Sequence, residues 1–312
     1  MKLPAPIIQG IVTTAIFTAM LLTHTLSAQA ANKANKAKNP QPVKITNQYV
    51  IPARDKYGIP AAQIDLLLTV RNAKEIRTLL AKVPRCAGDE DRRLMLDGAI
   101  LATDDDFEQA LPIFSRVKHP LEATNYEIYL AAKTFAQAQD FTRAINMATL
   151  GANRGNNHRC LEIRASCYSN LNRFPEAIKD YDTLACTQPL WATDYLSKEA
   201  DLLLRINKCN EALAVTERAE KLDSRKTAPT FTRGLCLERL DRFNEAIEAF
   251  TKSMQNTHEK IEQKRESAYF FLNALRERAK CYRKLGRIKD AAIDEFEAAK
   301  ISKGVMDELI GK

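Results

Sequence analysis

The sequence predicts an all-α protein built from antiparallel helix pairs that recur along the chain. Two stretches are closely similar: "LNRFPEAIKDY" begins at Leu171 and "LDRFNEAIEAF" begins at Leu240. Their phenylalanines belong to a longer series of bulky residues with a period of about 34 residues. The chain also holds only 10 glycines in 312 residues, which argues against a turn-dense all-β protein.

The bulky series marks the turn between the two helices of each copy. Its members are Phe107, Phe141, Phe174, Cys209, Phe243 and Ile288. All steps are close to 34 residues except the last, which is 45. Six copies are therefore predicted, over residues 91–124, 125–157, 158–191, 193–226, 227–260 and 272–305.

Two positions, counted from the first residue of each copy, hold only Ala or Gly. Position eight is occupied by Gly98, Ala132, Ala165, Ala200, Gly234 and Ala279. Position twenty is occupied by Ala110, Ala144, Ala177, Ala212, Ala246 and Ala291. Because antiparallel helices approach most closely where side chains are small, these residues predict the contact within each pair.

A 34-residue helix pair with this pattern resembles the tetratricopeptide repeat family, and the resemblance covers about residues 91 to 305. It implies a right-handed superhelical solenoid whose first helices line a concave, protein-binding groove. The sequence departs from the family at position seven, where the usual Leu is replaced by a charged residue in five copies. The replacements are Asp97, Arg164, Glu199, Arg233 and Arg278.

Outside the six copies, the chain divides into four short regions. Residues 1–30 read as a signal peptide, and 31–59 as a disordered basic linker rich in Lys, Asn and Pro. Residues 60–88 read as a degenerate repeat or a cap, which gives a solenoid over 60–305, and 306–312 form a tail. The fifth copy is followed by 11 extra residues (45 − 34) around "HEKIEQKRESA", and their charge and lack of Gly or Pro predict lengthened helices.

The N-terminal region predicts export. A cationic head precedes a mostly apolar stretch over residues 7–26, and Ala28-Gln29-Ala30 supplies the pattern that a signal peptidase reads, with cleavage near Ala30. The alternative is an uncleaved membrane anchor, because residues 7–26 are long enough to span a bilayer. Export places the protein in a periplasmic or secreted location.

Charge and composition narrow the function classes. The formal net charge is +8, but much of the excess lies in residues 31–58, so a nucleic-acid-binding face is not predicted. The histidines of the mature chain, His119, His158 and His258, do not have metal-ligand spacing. No phosphate loop or nucleophile motif occurs. No cofactor, metal or catalytic residue is therefore predicted.

Seven cysteines in a chain predicted to be exported raise the question of disulfides. Cys160, near the start of a first helix, and Cys186, near the end of its partner, could meet across an antiparallel pair. Reduced, buried thiols are the alternative, because a helical stack does not need cross-links.

The residues predicted to bind a partner are at repeat positions that the family resemblance places in the groove. Exposed aromatic residues anchor interfaces, which makes Tyr126 and Tyr129 the leading candidates. A basic face on the first helix of the last copy would suit a carboxylate-bearing peptide. The full predicted set is Tyr126, Tyr129, Lys133, Phe231, Arg239, Arg276, Lys280, Arg283 and Lys284.

These patterns predict a non-catalytic protein-interaction scaffold that binds a partner peptide or helix in its groove, in cell-envelope assembly or secretion. Two alternatives fit the same residues. One is an adaptor that is anchored to the membrane by residues 7–26, and the other is an accessory subunit of an envelope enzyme complex.

Overall fold

The computed structural model describes residues 61–81, 90–120, 123–155, 157–262 and 269–309, and every regular element in these ranges is helical. The all-α prediction is confirmed. The elements are α1 Ala61–Thr69, α2 Ala73–Leu80, α3 Glu90–Thr103, α4 Phe107–Arg116, α5 Asn125–Gln137, α6 Phe141–Asn153, α7 His158–Asn170, α8 Phe174–Thr187, a 3₁₀ turn Pro189–Trp191, α9 Ala192–Arg205, α10 Cys209–Leu222, α11 Thr227–Arg239, α12 Phe243–Glu262, α13 Tyr269–Lys284 and α14 Ile288–Leu309.

The predicted signal peptide, its membrane-anchor alternative over 7–26 and the linker over 31–59 lie outside the described residues. Within the described ranges, no helix is both long enough and apolar enough to span a bilayer. The charged insertion after the fifth copy begins as helix, since α12 runs for 20 residues to Glu262.

The described residues divide into two compact units, residues 61–188 and residues 189–309, called here the N-terminal unit and the C-terminal unit. In each unit, consecutive helices pack against one another as hairpins, and the first helices of successive pairs also touch. The N-terminal unit contains the pairs from α1–α2 to α7–α8, and the C-terminal unit contains those from α9–α10 to α13–α14.

The twelve small residues at positions eight and twenty are all buried, as their size predicts. The two glycines among them have a specific reason. A Cβ atom built on Gly98 would lie 2.7 Å from the ring of Phe114, and one built on Gly234 would lie 2.5 Å from the ring of Phe250. Both rings come from position twenty-four of the same copy and are almost fully buried. Glycine therefore accompanies a buried Phe on the facing helix.

Each helix pair turns through the same backbone conformation. In each described pair, the residue two places before the start of the second helix has a positive φ. These residues are Arg71, Asp105, Gln139, Asn172, Asn207, Asp241 and Gly286. The next residue donates its backbone N–H to the carbonyl of the residue five places earlier, as in Asp106 to Leu101 at 3.1 Å. This is the Schellman closure of a helix C-terminus. The α1–α2 pair makes the same turn, with Asn72 donating to Leu67 at 2.9 Å.

The charged residues at position seven are accommodated by buried ion pairs in two copies. The guanidinium of Arg164 donates to both carboxylate oxygens of Asp180, at 2.8 and 2.7 Å. Arg278 repeats this geometry with Asp294 at the same two distances. Each of these ion pairs joins the two helices of one copy. Each Arg also donates to the hydroxyl of a Thr in the preceding copy. The position that usually holds Leu thus carries a bidentate ionic cross-link.

Replacing Gly234 by Ala should destabilise the protein, because the new methyl group would collide with the ring of Phe250, which is fully buried. Overpacking costs about 1–3 kcal/mol, and the better helix propensity of Ala returns about 1 kcal/mol. The free energy of unfolding in urea should therefore fall by up to about 2 kcal/mol.

The control is the same substitution in a Phe250→Leu background, where the smaller side chain leaves room for the new methyl group. There, Gly234→Ala should become neutral or stabilising. An equal loss of stability in both backgrounds would show that the ring contact is not the cause.

Replacing Gln139 by Gly should stabilise the protein, because Gln139 has φ +60° and carries a Cβ atom in the left-handed region. That conformation costs an L-residue about 1–2 kcal/mol, and the greater freedom of unfolded Gly cancels part of the gain. A rise of about 0.5–1 kcal/mol in the free energy of unfolding is expected.

Gln255→Gly is the matched control, because Gln255 is an exposed residue inside α12. It should lower the stability by about 1 kcal/mol. If both substitutions lower it, the strain at residue 139 is not significant.

Candidate functional site

A cleft of about 310 Å³ opens on the first-helix side of the N-terminal unit. It lies among α1, α5 and α7, which are the first helices of their pairs. The side chains that matter most for its chemistry are Asp65, Leu66, Asn125, Tyr126, Tyr129 and Arg159. The cleft thus contains the two tyrosines that the sequence predicted as anchors.

Tyr126 and Tyr129 form an aromatic pair at one wall of the cleft. Their ring centroids are 5.4 Å apart, as expected for residues three apart on one helix face. The exposed guanidinium of Arg159, on α7, lies 5.1 Å from the Tyr126 centroid and 5.6 Å from the Tyr129 centroid. Cation–π contacts of this kind contribute about 0.5–1 kcal/mol at exposed sites. Arg159 therefore holds the two rings in one arrangement.

The start of α5, which carries these tyrosines, is fixed by buried polar contacts. Thr124 and Glu127 form a capping box, in which the Thr124 backbone N–H donates to the Glu127 carboxylate at 2.7 Å. Glu127 is completely buried and also pairs with Arg92 of α3 at 2.6 Å. Removing one member of such a pair costs about 3–5 kcal/mol. The tyrosines therefore project from a rigid first turn.

Two acceptor oxygens at the cleft have no donor among the described residues. They are Oδ1 of Asp65, on α1, and Oδ1 of Asn125, the first residue of α5. Burial raises the pKa of the Asp65 carboxyl, and the nearby charge of Glu127 raises it further, whereas contacts with Thr124 and Tyr126 act in the opposite direction. An N–H group of a ligand would satisfy such oxygens.

Asp65 was not among the residues predicted to bind a partner, because the segment that forms α1 was interpreted as part of a degenerate repeat or a cap. A signal was present, however. Counting back 34 residues from Asp91 starts a seventh copy at Tyr57, and Asp65 and Thr69 then occupy positions nine and thirteen. The family resemblance implies that residues at those two positions face the groove. The irregular composition of this segment concealed the register.

Lys133 lies on α5 but does not line the cleft. Its ammonium group is 4.7 Å from the centroid of Phe107 and 3.8 Å from a carboxylate oxygen of Asp105. These contacts connect α5 to the turn that precedes α4. In this structure Lys133 therefore stabilises the stacking of two helix pairs.

Phe231 and Arg239, two residues of the C-terminal unit that were predicted to bind a partner, contact other helices. Phe231 is only 8% exposed, and its ring packs 5.7 Å from the centroid of Phe250 and 5.5 Å from that of Phe270. Arg239 donates to the backbone carbonyl of Leu204, near the C-terminal end of α9. Phe231 is therefore largely enclosed by other aromatic rings, whereas Arg239 remains exposed. Sequence position alone did not reveal that Phe231 packs against neighbouring helices.

The basic face of α13 is largely neutralised by nearby groups. Lys280 pairs with Glu277 at 2.7 Å, and Arg283 makes two contacts with Glu295 at 2.6 and 2.7 Å. Arg276 donates to the hydroxyl of Ser302 at 3.1 Å. Lys284 is exposed at the end of the helix. The face therefore presents less positive charge than the sequence of α13 by itself indicates.

Cys160 and Cys186 are both free thiols in this structure, so the possible disulfide between them is not formed here. Cys160 is fully buried, and its sulfur packs against Gly151 of α6, where an added Cβ atom would collide with it. Cys186 is exposed on α8. Burial raises the pKa of the Cys160 thiol to about 12, so this thiol is protonated at neutral pH.

Within the described ranges, no group of three His, Cys, Asp or Glu residues could hold a metal ion.

Comparisons with known proteins give the family context. A family profile described as tetratricopeptide repeat matches residues 197–256. A search of curated protein sequences found no match.

Similar solved structures include MamA from Desulfovibrio magneticus, at 15% identity over 57% of this chain and 95% of that chain, with a TM-score of 0.49. Another is YrrB, described as a TPR protein with an unusual peptide-binding site, at 15% identity over 58% and 90%, with a TM-score of 0.44. A third is a tetratricopeptide repeat protein from Parabacteroides merdae, at 14% identity over 70% and 98%, with a TM-score of 0.44.

The profile match lies within the fourth and fifth predicted copies. Residues 197–256 therefore match the tetratricopeptide repeat family, and the helix pairs on either side of them share the same turn and contact residues.

Proposed function

We propose that the protein is a non-catalytic scaffold that binds an extended segment of a partner protein in the cleft of the N-terminal unit. The observation that carries the proposal is the cluster of Tyr126, Tyr129 and Arg159 beside the unsatisfied oxygens of Asp65 and Asn125. Aromatic and arginine side chains dominate interface energetics, and here both types are held in place.

The mixture of groups in the cleft suits a polypeptide. An extended segment carries backbone N–H donors, which Asp65 and Asn125 can accept, and backbone carbonyls or a carboxylate, which the guanidinium of Arg159 can bind. The tyrosine rings supply an apolar surface for one side chain of the segment. Leu66, which is 61% exposed at the rim, extends that surface beyond the cleft.

The size and position of the cleft support a segment rather than an enclosed small molecule. A volume of about 310 Å³ is at the lower end of the range of small-ligand pockets, about 300–1,000 Å³. The cleft lies along the first-helix side of the unit, where an extended chain can continue past it.

We assign the basic face of α13 a secondary role, because its ion pairs with Glu277 and Glu295 must be exchanged before it binds a carboxylate.

The proposed location is outside the cytoplasm, with a role in cell-envelope assembly or secretion, and the proposed partner is a protein rather than a nucleic acid. The support is the signal-peptide pattern of residues 1–30 and the concentration of basic charge in residues 31–58. N-terminal sequencing of the mature protein separates the two localisations. A new terminus at Ala31 supports export, and retention of residues 7–26 supports the membrane-anchored adaptor.

Photocrosslinking in the native cell identifies the partner segment. A benzoylphenylalanine at Leu66 should crosslink to one defined segment of a partner protein, which mass spectrometry of the crosslinked peptide locates. Leu222, 60% exposed at the end of α10, is the matched control position and should not capture that segment.

Binding of the captured segment, as a synthetic peptide, should be at least about tenfold weaker to a Tyr129→Ala variant, because an interface aromatic contributes about 1.4 kcal/mol or more. Calorimetry or fluorescence anisotropy measures the change. Tyr168→Ala is the matched control, since Tyr168 also stacks with an arginine, Arg173, at 4.6 Å, but does not line the cleft. Equal affinity of wild type and Tyr129→Ala would rule out the cleft as the binding site.

If the protein is instead an accessory subunit of an envelope enzyme complex, a different result is expected. The segment crosslinked at Leu66 would then belong to an enzyme, and that enzyme would lose activity when it is combined with the Tyr129→Ala variant. A partner without catalytic activity favours the scaffold.

A further inference from the structure

The second helix of the last described pair, α14, carries large apolar side chains on its exposed side. Ile288 is 57% exposed, Ile293 is 64% exposed and Phe296 is 74% exposed. Ala292 and Ala299 are exposed on the same helix. The spacing of these five residues places them on one side of α14, and this surface is called here the α14 face.

The α14 face corresponds to the surface on which the next repeat stacks in earlier copies. Phe296 occupies position twenty-five of its copy. At that position in the second copy, the hydroxyl of Thr149 accepts a hydrogen bond from Arg164 at 3.3 Å. In the fifth copy, Thr251 accepts one from Arg278 at 2.9 Å. Each Arg lies on the first helix of the following copy, so position twenty-five is on the side that a following first helix covers.

The register of α14 is the same as in an earlier copy, so Phe296 is not displaced from its place by a rotated helix. Asp294 of α14 pairs with Arg278 at 2.7 Å, and Asp180 of α8 pairs with Arg164 at 2.7 Å. Both ion pairs join position twenty-three to position seven of their copy. The side of α14 that bears Phe296 is therefore the stacking side.

The last copy also differs at position twenty-one. The earlier copies have a large aliphatic residue there that is buried or half-buried: Leu111, Ile145, Ile178, Leu213 and Ile247. The last copy has the exposed Ala292 instead. The α14 face thus combines small residues with a large ring. Within the repeats, the contact of Gly234 with Phe250 uses the same combination.

We infer that the α14 face is the interface of a homodimer, in which α14 of one copy packs antiparallel against α14 of a second copy about a two-fold axis. The stacking side of a second helix accommodates a helix at the earlier junctions, and α14 presents such a helix to a second copy. An arrangement centred on Asp294 places Phe296 opposite Ala292 of the other copy, since each is two residues from the centre. The two-fold axis repeats this contact of a ring with a small residue.

The charges beside the α14 face favour the antiparallel orientation. Lys289 and Glu297 are both exposed. In the antiparallel pair, Lys289 of each copy lies within one helical turn of Glu297 of the other, so two contacts between opposite charges flank the apolar centre. In a parallel pair, each of these residues would instead lie beside the same residue of the second copy, and like charges would meet.

The inference does not depend on peptide binding by the N-terminal unit. It has a consequence for that binding, however, because a dimer carries two copies of the cleft. A partner with two suitable segments would then be held by both, and the second segment would bind at a high effective concentration.

Sedimentation equilibrium of the full chain tests the interface. The mass of the wild type should approach that of two chains as the concentration rises. Phe296→Asp should dimerise at least about tenfold more weakly, because it replaces the central aromatic contact by a charge. Phe296 is exposed in the single chain, so the variant should keep the circular dichroism spectrum and unfolding temperature of the wild type.

Leu222→Asp is the matched control, because Leu222 is 60% exposed on another second helix of the C-terminal unit. It should dimerise as the wild type does. A wild type that stays monomeric at all concentrations would overturn the inference. So would a dimer that Phe296→Asp leaves unchanged, because the contact would then lie elsewhere.

Charge reversal tests the antiparallel orientation. Lys289→Glu and Glu297→Lys should each weaken dimerisation, because each variant brings like charges together across the two-fold axis. An equimolar mixture of the two variants should associate more tightly than either variant alone, since both contacts then join opposite charges again. A mixture that associates no more tightly than the separate variants would rule out the antiparallel arrangement.

Discussion

The close approach of the two helices of each pair is the constraint on which the rest of the structure depends. Ala or Gly at positions eight and twenty removes side-chain volume where the helices touch. The left-handed turn residue and the backbone bond that closes it then set the angle at which the second helix returns. Because the six copies from residue 91 share this contact and all seven described pairs share the turn, successive pairs within each unit present similar surfaces to one another.

This repetition also creates the candidate site. In the N-terminal unit, the first helices α1, α5 and α7 bring together side chains that are distant in sequence: Asp65, the two tyrosines of α5 and Arg159. The capping box at Thr124 and the buried Arg92–Glu127 pair fix the start of α5, so the rings and Arg159 meet in a defined arrangement. The candidate site thus rests on contacts that also stabilise the fold.

Charged residues inside the repeats serve stability rather than recognition in several places. Arg164 with Asp180, and Arg278 with Asp294, replace the apolar contact that the family's usual Leu would make. These bidentate pairs satisfy both charges, which a buried charge requires. The same logic reduces the basic face of α13, whose cations contact Glu277, Glu295 and Ser302. Counting charges along one helix could not reveal partners that are contributed by the next.

The sequence by itself determined the helical class, the period and the small contact residues, because each is written at a fixed spacing within the chain. It also identified Tyr126 and Tyr129, which lie on one face of one helix. Only the tertiary structure decided which residues accompany them, since Asp65 and Arg159 come from other pairs. It likewise buried Phe231 and directed Cys160 toward Gly151. The reason is physical: periodicity gives the face on which a side chain lies, whereas its contacts depend on the neighbouring helix.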